Sequence, residues 1–575
     1  MKKVLFLTTF LLLACLPALT SAQEAVGQQV IFNIEPTYDV SQRSEATATL
    51  VKISGTAYWY LDNIWWNLLS EAKQEEVRSS LDELTLEFES NIYPNLTRTF
   101  GSEWNPGIDK DSRITILIHP MKKGSGGYND SADEYPKIQI PQSNEREMVY
   151  LNSDYLQTTE IKSFLAHELM HLITFNQKNK TYNVSEEIWL NEARAEYAPT
   201  FLGYNDIYEG SHLQKRVRDF LNKPFDSLTE WQDTPADYGA VNLFVHYLVD
   251  HYGLTPLADS LKMKATGIAS LNSILAKYGF KDDFSQIFTN WVVAVTINNC
   301  KYSEKYCYFN PNLADFRITP LINYLPFSGN STLSVTNTTK DWAGNWHKFI
   351  GGNGTLQLDF RGDASSKFKI PYLIQDSSGN FSIYNLVLNA SYEGRIVVEN
   401  FGSKNISLII IPTTQNKTAN FSNAEQSHSF FWSASTQEEI SLVLPPLTKP
   451  LEQMTKTEIS ARIKEIMALI VKMQALLATL SETPASCQSL DQDLYFGMRN
   501  DTRVTCLQEF LISQGSEIYP EALATGNFFT ATYNAVVRFQ EKYTQDILSP
   551  SGLTKGNGYV GARTRAKINE LLTAK

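Results

Sequence analysis

The chain has 575 residues, 43% of them hydrophobic, with 50 basic against 62 acidic side chains and a formal net charge of −12. That length exceeds one ordinary core and sets an expectation of two to four domains, and the apolar content excludes a disordered or fibrous chain. The acidic balance argues against a nucleic-acid binder.

Lys2 and Lys3 precede an apolar run from Val4 to Leu13, followed by Pro17 and the small residues Thr20, Ser21 and Ala22. This is the pattern of a secretory signal peptide over residues 1–22. The run is too short to span a bilayer and no later stretch reaches about 18 apolar residues, so an exported protein is expected. Leu12-Leu13-Ala14-Cys15 also resembles a lipoprotein cleavage site, at which Cys15 would become the lipidated first residue. Without Cys15 four cysteines remain, and their spacing predicts two local disulfides, Cys300 with Cys307 and Cys487 with Cys506, in an oxidising compartment.

Helix-like spacing runs from Ile64 to Phe100 and is expected to break at Pro94; Arg113 to Ile118 reads as a buried strand, and Gly124-Ser125-Gly126-Gly127 as a loop. Asp109 and Asp111 before that strand are a candidate calcium pair, although two acids at this spacing also make an ordinary turn. From Glu160 to Phe288 the pattern is mainly helical, and from Phe327 to Leu444 short alternating strands separated by Gly, Asn, Ser and Asp read as a β-sandwich. Pro445, Pro446 and Pro450 form a stiff joint before a helix with a capping box at Thr455 and Glu458. Its apolar residues from Ile459 to Leu480 recur at fours and threes, a heptad seam suited either to self-association or to packing on a neighbouring domain. The expected division is therefore 1–22 leader, 23–325 catalytic domain with its chemical core at 160–295, 326–446 sandwich, 447–484 linker and coiled-coil-like helix, and 485–575 a small C-terminal domain.

His167-Glu168-Leu169-Met170-His171 lies in a stretch free of Gly and Pro, so a helix is expected. Residues four apart then share one face, about 6 Å along the axis. Both imidazoles can reach one zinc ion, and Glu168 can act as general base on the water it activates. A zinc site needs a third protein ligand. Gln177 stands where a third histidine of the long metzincin motif would fall, which excludes that arrangement. Downstream, Glu186-Glu187-Ile188-Trp189-Leu190-Asn191-Glu192-Ala193-Arg194-Ala195-Glu196 offers four carboxylates on a second helix. Glu192 is the expected ligand, with Glu196 one turn on and able to accept from the second nitrogen of a ligand histidine.

HELMH followed by WLNEARAEYA resembles the gluzincin metallopeptidases, and Arg113-Ile-Thr-Ile-Leu, Gly126-Gly127-Tyr128, Ser131 to Pro136 and Ser143 to Met148 are similar to stretches of the hyicolysin-like and immune-inhibitor-like neutral peptidases. The resemblance covers roughly residues 95 to 295 and implies an α+β zinc metallopeptidase domain cleaving protein or peptide substrates. Twenty residues separate His171 from Glu192, and Ala193 replaces the glycine of the aminopeptidase branch, which favours an endopeptidase. Tyr238 matches the position where related gluzincins place an active-site tyrosine; His212, His246 and His251 are the alternatives. The tail, with Leu507-Gln508, Thr525-Gly526-Asn527-Phe528, Phe539-Gln540 and Val560-Gly561, resembles a three-helix peptidoglycan-binding domain. Three readings follow: a protein-cleaving endopeptidase held at the cell wall, a hydrolase of peptidoglycan crosslinks, and a non-catalytic wall-binding protein. The first fits the complete set of base and ligands best.

Overall fold

The computed structural model describes residues 24–326, 331–437, 449–466, 487, 489–522 and 524–573. The leader with Cys15, the joint at Pro445 and Pro446, and the heptad seam beyond residue 466 lie outside them. The start of that helix is described: residues 456–466 are helical, and Thr455 and Glu458 exchange the expected capping bonds. The chain divides into two compact units, the first taking the chain up to Glu186 with Arg194–His212 and Leu261–Lys264, the second Glu187–Ala193, Leu213–Ser260 and everything from Ala265.

The first unit is built on a six-stranded sheet of β1 Gln29–Asn33, β2 Glu45–Ile53, β3 Ala57–Asp62, β4 Ile114–His119, β5 Gly127–Tyr128 and β6 Met148–Asn152, in the order β1-β2-β3-β4-β6-β5. β3, β4 and β6 are parallel neighbours and every residue in them is buried. A parallel sheet covered on both faces demands such continuous apolar runs, which is why Arg113 to Ile118 was legible as a strand. Between β3 and β4 the chain crosses over through the helices Glu71–Glu87 and Tyr93–Phe100. Pro94 opens the second of these instead of breaking a helix. The backbone stays helical from Glu71 to Phe100, and the five-residue π turn Phe88–Ile92 just before the proline accommodates its missing N–H.

In the second unit the helix Pro235–Tyr252 starts from a capping box of Thr234 and Asp237, and the helices Gly267–Lys277 and Phe284–Ile297 follow. Ten strands come next: β7 Leu321–Leu325, β8 Ser331–Thr339, β9 His347–Gly351, β10 Gly354–Gly362, β11 Phe368–Asp376, β12 Phe381–Leu386, β13 Glu393–Phe401, β14 Asn405–Ile410, β15 Thr413–Thr414 and β16 His428–Gln437. They form two layers, β8-β16-β10-β13 and β12-β11-β14-β9-β7 with β15 paired to β11, and among the described residues these are joined where Phe401 pairs Asn405. Along β10 and β16 alternate residues are buried, and Leu356, Leu358, Phe430 and Trp432 share a core with Phe349, Ile370 and Leu408.

Residues 490–573 carry the helices Thr502–Ser513, Thr530–Lys542 and Ala562–Thr573 and a short one, Thr544–Ile547, around Leu507, Leu511, Phe528, Val536, Phe539 and Val560. Two glutamines repeat one device. Gln508 accepts from the N–H groups of Thr525 and Gly526 and donates to Thr532; Gln540 accepts from those of Asn557 and Gly558 and donates to Thr564. Each lashes a glycine loop to the helix after it. Both expected disulfides are formed, Cys300–Cys307 and Cys487–Cys506.

Candidate metal centre

β6 leads through a short turn into the helix Glu160–Thr174, whose first turn carries Glu160 and whose buried face includes Leu165, Ala166, Leu169, Met170 and Ile173. An acid at the N-terminus complements the helix dipole. His167 and His171 stand one turn apart with ring centroids 4.9 Å apart, and Glu168 beside them is nearly buried, 6% exposed. His167, His171 and Glu192 each offer one ligand atom, and these atoms lie within 4.8 Å of one another. Two imidazoles and a carboxylate at that separation fit zinc, which takes N and O ligands at about 2.0–2.2 Å and keeps a position open in catalytic sites.

The second helix runs Ile188–Phe201, so Glu186 and Glu187 stand before it and not on it as expected, and the acids other than Glu192 are committed elsewhere. Glu186 is buried against Arg194 at 2.8 Å and Lys178 at 3.6 Å, and burial with the Arg194 charge beside it brings the Lys178 ammonium down to about 8. Glu187 accepts from the indole of Trp189 at 2.7 Å and from the N–H of Asn420 at 3.2 Å. Glu196, fully buried, places Oε1 3.5 Å from Nδ1 of His167, as its one-turn offset from Glu192 implied. Its second oxygen lies 2.9 Å from Nε2 of His212. That pairing was not foreseen: His212 opens a separate helix sixteen residues later, and no local spacing links the two.

Gly126 and Gly127 are a further feature that sequence reasoning left as loop. Gly127 lies in the edge strand β5, where a Cβ would come within 2.6 Å of the Tyr150 carbonyl oxygen and 3.2 Å of Glu168 Cγ; at Gly126 it would enter the ring of Phe164 at 2.3 Å. Only glycine lets this strand lie so close to the helix of Glu168.

Tyr238 sits in the first turn of its helix, with its hydroxyl donating to Asp233 at 2.8 Å, its ring under the Arg216 guanidinium at 4.5 Å and edge-on to Trp231. His246 and His251 hydrogen-bond to the carbonyls of Asn242 and Cys307. Of the candidate calcium pair, Asp111 is used by Arg113 and the Tyr58 hydroxyl, while Asp109 accepts from the N–H of Asp111. That is the turn geometry.

The chain is similar to the neutral metalloprotease ShpI of Staphylococcus hyicus, 25% identical over 234 residues that make up 36% of this chain and 48% of that protein. It thus spans about half the length of the curated relative it matches. No family model matches the chain. Among solved structures, the pre-peptidase C-terminal domain of a Bacillus anthracis collagenase is 8% identical over 20% of this chain and 96% of that one, with a TM-score of 0.14. The periplasmic lysozyme inhibitor PliG of Aeromonas hydrophila is 9% identical over 21% and 100%, also with a TM-score of 0.14. Scores this low carry no argument about fold.

Proposed function

We propose that this chain is a secreted zinc-dependent endopeptidase held at the bacterial cell wall by its C-terminal domain. The convergence of His167, His171 and Glu192 beside Glu168 carries the reading, and the similarity to a neutral metalloprotease supports it. His167, His171 and Glu192 would hold a zinc ion, which would supply a Lewis acid for the scissile carbonyl and for the attacking water. Glu168 accepts the proton of the attacking water and returns it to the leaving amine. Glu196 fixes the His167 ring from behind, and His212 holds Glu196 in turn. Tyr238 donates to the developing oxyanion once its hydroxyl leaves Asp233. β5 ends the sheet, and main-chain groups on that edge would take an extended peptide, which favours a protein substrate over a short wall crosslink.

The wall-binding role of residues 485–575 is supported by a set of exposed rings, Tyr495, Phe496, Phe529 and Tyr559, of which Tyr495 and Tyr559 are stacked. Aromatic faces of this kind suit sugar rings. The test is zinc content and casein cleavage of the purified chain beside Glu168→Gln, with intact peptidoglycan as a second substrate. One zinc in both proteins, with casein cleavage lowered by about 10²–10⁴-fold in the variant, is the expected result. A fully active variant would remove Glu168 from the mechanism, and wall lysis without casein cleavage would make the chain a crosslink hydrolase.

A further inference from the structure

The second unit contains a cavity of about 630 Å³, walled by residues 223–227 on one side and by β7, β8 and the start of β9 on the other. Small-molecule sites commonly measure about 300–1,000 Å³. The two walls are fastened together: Ser227 Oγ donates to the Asp341 carbonyl at 2.7 Å, and the N–H of Leu228 to that of Trp342 at 2.9 Å.

Two buried polar groups in this wall lack a partner. Asp226 gives one carboxylate oxygen to Lys223 at 2.6 Å, while its Oδ2 is buried and accepts from no donor. His347, 2% exposed, has its ring 5.9 Å from that of Phe430 and 5.7 Å from that of Trp432, and its buried Nδ1 has no partner either. Buried polar atoms are nearly always hydrogen-bonded, because an unpaired one forfeits its hydration without return.

The charges around the cavity select the ligand. Lys223 and Lys340 line it, and they are paired with Asp226 and Glu230. A cationic ligand meets both ammoniums. An anionic one meets the Asp226 carboxylate and finds both ammoniums taken. Burial brings the His347 imidazole down to about 4, so the ring is neutral and carries one acceptor nitrogen and one donor. A neutral ligand rich in hydroxyl donors answers these constraints, and Phe225 and Leu321, 57% and 61% exposed, add apolar surface at the same site.

We propose that this cavity binds a neutral mono- or disaccharide, with hydroxyls donating to Asp226 Oδ2 and His347 Nδ1 and the C–H face of a sugar ring lying on Phe225. The site shares no residue with the His-His-Glu group, so it gives the sandwich a glycan-binding role that stands apart from the peptidase reading.

The experiment uses the full zinc-loaded chain carrying Tyr495→Ala and Tyr559→Ala, so that the stacked rings of the tail do not contribute. N,N′-diacetylchitobiose, an acetylated aminosugar of the kind found in walls, and α-mannobiose, of the kind found on glycoproteins, are titrated by calorimetry. One bound disaccharide per chain is expected for at least one of them, and the better ligand identifies the source. Asp226→Asn and His347→Phe, each added to this chain, should lower the affinity by about tenfold or more, with zinc content and casein cleavage unchanged. His347→Phe should also melt no lower than its parent, since it removes a buried nitrogen that has no partner; should Asp226→Asn not fold, His347→Phe carries the comparison. A chain that binds neither sugar, variants that bind as tightly as the parent, or benzylamine taken up in place of both sugars would overturn the proposal.

Discussion

In the sheet of the first unit β3, β4 and β6 bury every residue, whereas β10 and β16 of the second bury every other one. The difference decides where polar chemistry can sit. The alternating strands send polar side chains outward and keep a core of Leu356, Leu358, Phe349 and Trp432. The fully covered strands have no outward face, so polar groups gather at their carboxyl ends: Asp62 closes β3, His119 closes β4 and Asn152 closes β6. Carboxyl ends of parallel strands are where open α/β sheets place their sites, and the chain leaves β6 for the histidine helix. Asp62 and Asp39, both fully buried, are bridged by Arg43 at 2.7 Å to each.

Four substitutions sharpen this contrast. Trp432→Ala empties the sandwich core and should cost about 3–5 kcal/mol in urea unfolding while zinc content stays at wild type; a loss of zinc would show that the two regions are not independent. Arg43→Met leaves two buried carboxylates unpaired and should cost about 3 kcal/mol; an unchanged midpoint would mean that they are satisfied some other way. Glu196→Ala should weaken zinc binding by about 10–100-fold with little change in melting of the zinc-loaded chain, measured by competition with a chelating dye.

The smallest effect is a pH dependence. Burial brings the His119 imidazole down to about 4, opposed by Asp39 and Asp62 and reinforced by Arg43, with the rings of Tyr128 and Tyr150 packed on it. A histidine whose folded value lies below its ordinary 6.5 binds protons more readily unfolded. Its stability is therefore present above pH about 6.5 and is lost as pH falls toward 4. His119→Gln should flatten that limb of the stability profile; an identical slope would place the titration elsewhere.

His167, Glu168 and His171 were legible as neighbours because helical period puts residues at four-residue spacing on one face, whereas Glu192 was one of four acids in a later segment and joins the histidines only on folding. Glu196 followed from the same rule, and the disulfides from the small number and local spacing of the cysteines. His212 was not legible as the partner of Glu196, since the two meet only when separate helices pack. Pro94 misled because a π turn before it accommodates the missing N–H, and the sequence does not say where a helix will widen. Gly126 and Gly127 read as a loop although they let an edge strand approach Glu168.

The sequence by itself determined which side chains share a single element: two imidazoles and a carboxylate on one helix, a carboxylate pair on the next, and strands whose burial follows from their apolar pattern. Only the tertiary structure decided which distant groups share a space. Glu196 and His212 stand in separate helices with no common period, and their meeting at 2.9 Å depends on how those helices pack, which local spacing cannot encode.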